Sequence, residues 1–252
     1  MEIFTLLILF IGGIIAGLYG SCVGSGALVT FPLLILSGLP IHTAIGTNRL
    51  GAVFLELSSA IKFFLQHQLN LKLGILLGIV AAIGALLGTK IVISINERSL
   101  NLIIAIVFLI IFIVLMFKDK IGIKQKKIMK KNIFVISLFT FLLGIYGGFF
   151  GGGFGTFIMI LLVLFGFTFI KGAALGRVIG TIMSIVSFII FAINDLVVYS
   201  YGISLAIGSF IGGWIGAGIA VKKGDPYIKV ILSIVIIITI IKLFLDYLGI
   251  IL

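Results

Sequence analysis

Ten apolar runs follow one another along this chain, at about 3–20, 27–38, 43–65, 71–93, 99–117, 133–148, 154–169, 172–193, 203–221 and 228–248. The charged residues collect in the breaks between them, as a hydropathy reading of a membrane protein requires. The chain is 62% hydrophobic and 10% charged, whereas a soluble domain carries about 25% charged residues. Its mean hydropathy is +1.45. A water-soluble globule could not cover such a surface, which excludes soluble enzymes, nucleic-acid binders and disordered chains. A bilayer suits it, and at about 20 residues per span the chain holds at most about ten crossings and no extramembrane domain. The first segment begins Met1-Glu2-Ile3, without a basic region or a small-residue cleavage pattern, and is read as a membrane segment and not a removed signal.

Two runs are short. The 12 residues of 27–38 reach roughly 18 Å at about 1.5 Å per residue, well under an apolar core of about 30 Å. They also contain Pro32, which removes a helix hydrogen bond. The run 154–169 is short too. Each follows a glycine-rich break and reads as the second arm of a hairpin, which either crosses the bilayer or turns back inside it.

The chain repeats itself. Gly17, Gly20, Gly24 and Gly26 recur 127 residues on as Gly144, Gly147, Gly151 and Gly153, and Tyr19 recurs as Tyr146. Further along the offset is 128, pairing Arg49 with Arg177, Ser59 with Ser187, Gly84 with Gly212 and Gly88 with Gly216. The expected fold is an all-α polytopic integral membrane protein of two repeats with five apolar segments each. The first two segments of each repeat form a glycine-rich hairpin of short helices. The first repeat is 1–117, a basic linker is 118–132, and the second repeat is 133–252. Seven of the 18 basic residues lie between Lys118 and Lys131, which puts that loop in the cytoplasm. Five is odd, so the halves insert in opposite directions, a recurrent plan of secondary transporters with the site at the repeat interface.

Two features carry chemistry. Bare amides and helix starts after Gly26 and Gly153 present N–H groups and a positive dipole end, an anion site in principle. Close helix packing through small residues is the competing reading. The second feature is a polar stripe. Arg49, Glu56 and Ser59 share one helical face, and Arg177, Ser184 and Ser187 repeat the spacing. An ionisable residue within a span costs about 2.5–3.5 kcal/mol on insertion scales, so it must face a cavity or a partner. The arginines are expected to draw an anion into opposite vestibules, with snorkelling as the alternative. Glu56, near the middle of its run, is a proton-coupling candidate, with a structural ion pair as the alternative. The candidate substrate-binding set is Gly20, Ser21, Gly24, Ser25, Gly26, Thr47, Asn48, Arg49, Gly147, Gly151, Gly152, Gly153 and Arg177. In it the hydroxyls of Ser21, Ser25 and Thr47 assist the backbone amides.

His42 and His67 fall at segment edges and suit an interfacial role. With the single cysteine, Cys22, they make no metal set. No cofactor and no nucleic-acid partner is expected; the partners are the bilayer and a small anion. The Gly84/Gly88 and Gly212/Gly216 steps read as helix contacts.

Taken together, the sequence resembles the sulfite exporter TauE/SafE family. The resemblance rests on Gly20, Gly24 and Gly26, then Phe31-Pro32-Leu33, then Ala44-Ile45-Gly46-Thr47-Asn48, with His67 and the Gly84/Gly88 helix following. It covers essentially the whole chain, and departs from the family's glycine-dense pattern at Ser21, Cys22 and Ser25. It implies a multi-pass transporter in the cytoplasmic membrane for a sulfur-containing anion, a sulfonate or a small organic acid. A passive anion channel and an accessory membrane subunit are the alternatives. An integral-membrane enzyme would need clustered His, Asp, Glu or Cys at membrane depth, which the chain lacks.

Overall fold

The computed structural model describes residues 2–24, 26–96, 99 and 133–224. Every regular element among them is an α-helix. In chain order these are α1 (Glu2–Val23), α2 (Ala27–Leu36), α3 (Ile41–Leu65), α4 (Leu71–Ser94), α5 (Ile133–Phe149), α6 (Phe154–Leu164), α7 (Phe169–Ile193) and α8 (Tyr199–Lys223). Eight of the ten apolar runs are thus helical. The runs 99–117 and 228–248 and the basic linker 118–132 lie outside the described residues.

Four helices, α1, α4, α7 and α8, are long and apolar enough to cross a membrane. Helix α3 has 25 residues, as many as α7, but its polar content keeps it out of that group. The outer faces are apolar: Ile203, Ile207, Ile211 and Ile215 run down α8 at one-turn spacing, each well exposed. In lipid every backbone polar group must be satisfied internally, and helices do that alone. The chain is a polytopic helical membrane protein.

One expectation needs correction. The hairpin arms are not both short. Helix α1 has 22 residues and is long and apolar enough to cross, since nothing breaks its apolar run before Gly24. Helices α2, with 10 residues, α6, with 11, and α5, with 17, are shorter. Pro32 sits inside α2 without ending it.

Helices α3 and α7 pack on each other at the centre. Helix α8 packs on α3 and α1, and α4 on α7 and α5; α2 leans on α1 and α3, and α6 on α5 and α7. These main contacts stay the same when α1–α4 are exchanged for α5–α8. Even the turns after α3 and α7 match, with His67 and Asp195 both at positive φ, 57° and 55°.

Glycine sets how close the helices come. A Cβ on Gly17 would fall on the α8 backbone at Ser209, Gly212 and Gly213, and one on Gly144 on the α4 backbone at Ala81. Gly88 and Gly216 meet Ile145 and Leu18 backbones in the same way. These glycines are helix contacts. Gly17 and Gly144 belong to continuous helices and not to an open hairpin.

Candidate functional site

The chain breaks between α1 and α2 and between α5 and α6. At the first, Gly24 has φ +104°, a conformation glycine adopts without strain. Its α-carbon lies against the backbone of Gly155 and Thr156, so a Cβ there would collide with the first turn of α6. At the second, Gly151 and Gly153 have φ 82° and 81°, and Gly153 is the N-cap of α6. Gly26 is the N-cap of α2. The two short helices therefore begin at one place, from opposite halves of the chain, and both point the positive ends of their dipoles there.

A cavity of about 30 Å³ lies at that meeting point. Gly24, Gly26 and Gly151 line it, with Asn48, Arg49 and Glu56 from α3. Thr30 from α2, Ser184 from α7 and Ser209 from α8 add hydroxyls. Thr30 donates to Asn48 Oδ1 at 2.5 Å.

Arg49 is 2% exposed. Its Nη2 donates to the carbonyls of Gly147 and Gly148, at 2.5 and 3.2 Å, at the C-terminal end of α5. Cations are favoured at such a helix end. Thr89 also donates to Gly148 O, at 3.1 Å. Gly151 lies against the Arg49 guanidinium and has no room for a Cβ. Arg177 is wholly buried, with Nη1 2.8 Å from Glu56 Oε2. Its Nη2 lies against Gly155, beside Gly24. A Cβ on Gly180 would stand 2.8 Å from Glu56 Cδ, so the α7 backbone backs the carboxylate.

The polar groups at this point are not all satisfied. Arg49 Nε, Ser209 Oγ, and Arg177 Nε and Nη2 have no hydrogen-bond partner, and Glu56 Oε2 has only the ion pair. Buried polar atoms nearly always have partners, and isolated charges are costly to bury. Among the described residues Glu56–Arg177 is an ion pair and no carboxylate faces Arg49.

The expected site residues divide. Gly24, Gly26, Asn48, Arg49, Glu56 and Gly151 line the cavity, and Arg177 joins them through Glu56. Gly147 contributes a carbonyl to Arg49, Gly152 accepts from the Tyr146 hydroxyl, and Gly153 caps α6. Gly20 packs inside α1 against Gly26. Ser21 bonds its own helix at Leu18 O, 3.1 Å, and Thr47 accepts from Val198 N at 3.0 Å. Neither of these two hydroxyls lines the cavity. Ser25 lies outside the described residues.

The arginines stand in the interior, so neither the open vestibules nor snorkelling describes them. His42, at the first turn of α3, is buried, its Nε2 3.0 Å from Val92 O near the end of α4. Cys22 is a packed thiol, 3.7 Å from Gly216 O. The sequence reading passes over Thr30 and Ser209 as site groups. Thr30 sits one turn into the helix that follows the glycines, a cue that was available. Ser209 has none, because its place depends on how α8 is rotated.

A helical membrane protein with a small polar, arginine-bearing cavity at its centre has the make-up of a solute-handling membrane protein. Comparison with known proteins gives the family. The sulfite exporter TauE/SafE family model matches residues 9–243, and the chain belongs to that family. It is 29% identical over 225 residues to a probable membrane transporter protein of Haemophilus influenzae, covering 89% of this chain and 88% of that one. It is 29% identical over 242 residues to the probable membrane transporter protein ORF9 of a Sinorhizobium species, covering 94% and 92%. It is 26% identical over 243 residues to the probable membrane transporter protein YfcA of Escherichia coli, covering 96% and 90%. No solved structure matches the chain.

Proposed function

We propose that the chain is a secondary transporter of a small anion in the cytoplasmic membrane, working by alternating access. The solute is a sulfur-containing anion, a sulfonate or a small organic acid. One observation carries the reading: buried Arg49 and the N-terminal ends of α2 and α6 meet at one cavity, and the one carboxylate lining it, Glu56, is paired with a second buried arginine, Arg177. An anion binds there through the backbone at Gly24, Gly26 and Gly151 and through Arg49, Asn48, Thr30 and Ser209. Of the wider set, Gly20, Ser21, Thr47, Gly147, Gly152 and Gly153 shape or position it.

The halves 1–117 and 133–252, joined by the cytoplasmic linker 118–132, rock against each other in inverted orientation. The contact pattern that survives exchange of α1–α4 for α5–α8 supports two like halves, and the odd number of apolar runs in each is the ground for their inversion. Glu56 stands inside the site against Arg177, which makes this carboxyl the candidate coupling group. The test is uptake of sulfite, thiosulfate, methanesulfonate and small carboxylates into vesicles holding the purified protein, driven by a pH step. Concentrative uptake of at least one, lost in Arg49→Gln, is expected. Absence of flux for every anion, or flux only down a gradient, defeats the proposal.

A further inference from the structure

Resting on the anion reading above, we infer that Glu56 sets the charge of the accepted anion, so that the cavity takes a monovalent oxyanion over a divalent one. The argument starts from the repeat. Arg49 and Arg177 are counterparts 128 residues apart, and the counterpart of Glu56 is Ser184. Ser184 is 2% exposed and lines the same cavity. The halves thus place two arginines symmetrically and one acid asymmetrically. Glu56 cancels Arg177 at 2.8 Å. Arg49 meets only the carbonyls of Gly147 and Gly148, which are dipoles and leave its charge uncancelled. One formal positive charge remains on a side chain that is 2% exposed, where an uncompensated charge is costly. The carbonyl end of α5 at Arg49 offsets part of the positive ends of α2 and α6, and a single negative charge closes the formal count. A second would leave the cavity negative beside Glu56.

The probes are methanesulfonate and sulfate, which share a sulfonyl-oxygen face and differ by one charge. Binding is read as the rise in melting temperature of the full chain in detergent, at one pH and constant ionic strength. The wild type is expected to bind methanesulfonate about tenfold or more tightly than sulfate, given the weight of one unpaired charge in low dielectric. Glu56→Gln leaves two positive charges and should reverse the preference. Ser184→Glu supplies the missing counter-charge to Arg49 and should weaken both anions by about tenfold or more. The exchange variant Glu56→Gln/Ser184→Glu restores the net charge and should restore the preference for methanesulfonate.

The two single variants keep the inference exposed even if one does not fold. Unchanged selectivity in Glu56→Gln, or unchanged affinities in Ser184→Glu, overturns it while leaving the anion reading standing. No stabilisation by either anion in any of the four proteins overturns the anion reading and this inference together.

Discussion

Gly24 and Gly38 make a controlled comparison, because both have positive φ, +104° and +84°, and only one touches anything. An alanine in the left-handed region costs roughly 1–2 kcal/mol. At Gly38 nothing stands within 4 Å of the added methyl, so Gly38→Ala should lose about that amount and no more. At Gly24 the methyl falls on the backbone of Gly155 and Thr156. Backbone cannot rotate aside, so α6 must shift as a unit. Overpacking of this kind adds about 1–3 kcal/mol. At about 2–4 °C per kcal/mol for chains of this size, Gly24→Ala should melt roughly 2–12 °C below Gly38→Ala. The shift also separates the two helix starts, so anion flux in vesicles should fall in Gly24→Ala and stay near wild type in Gly38→Ala. Equal melting temperatures and equal flux would refute the claim that the two chain breaks meet backbone to backbone.

Three further substitutions separate binding from folding. Ser209→Ala removes a cavity hydroxyl that has no partner, so melting should hold while anion affinity drops about tenfold to a hundredfold, in line with one lost hydrogen bond to a charge. Arg49→Lys puts the charge on a side chain one bond shorter, which draws the donor back from the Gly147 and Gly148 carbonyls that Nη2 reaches; about 1–3 kcal/mol of stability and most of the flux should be lost. Gly180→Ala pushes on Glu56 from α7 and should impair flux more than Gly78→Ala, whose added methyl meets the Ile182 side chain and no residue of the cavity.

Much of this was legible in the sequence, for a physical reason. Spans follow from unbroken apolar length, and eight runs became helices at nearly the expected bounds. The glycine breaks were legible because Gly24 and Gly151 need backbone freedom that the chain marks by residue type. The arginines were legible as candidate site residues because charge at membrane depth demands an explanation. Their surroundings were not. Whether Arg49 faces a vestibule or the end of α5 depends on helix rotation and on which half packs where, and periodicity within one helix does not report that. Ser21 and Thr47 illustrate the same limit. Both sit beside site residues in the chain, yet a helix turns neighbours about 100° apart, and their hydroxyls meet Leu18 and Val198 instead.

Helix α3 shows why the charges are there. It holds Asn48, Arg49 and Glu56 in the interior, where each ionised group costs about 2.5–3.5 kcal/mol to insert. Replacing a buried ion pair with apolar residues of like volume is often neutral or stabilising by about 1–4 kcal/mol, while removing one partner costs about 3–5. A protein selected only to fold would therefore have no use for this cluster. The triple variant Arg49→Met/Glu56→Met/Arg177→Met should melt at or above the wild-type temperature and move no anion. Arg177→Met alone should melt well below both, because it strands Glu56. If the triple variant were instead as unstable as Arg177→Met, the three charges would be holding the helices together. The partnerless nitrogens of Arg49 and Arg177 would then lose their standing as the groups that await a solute.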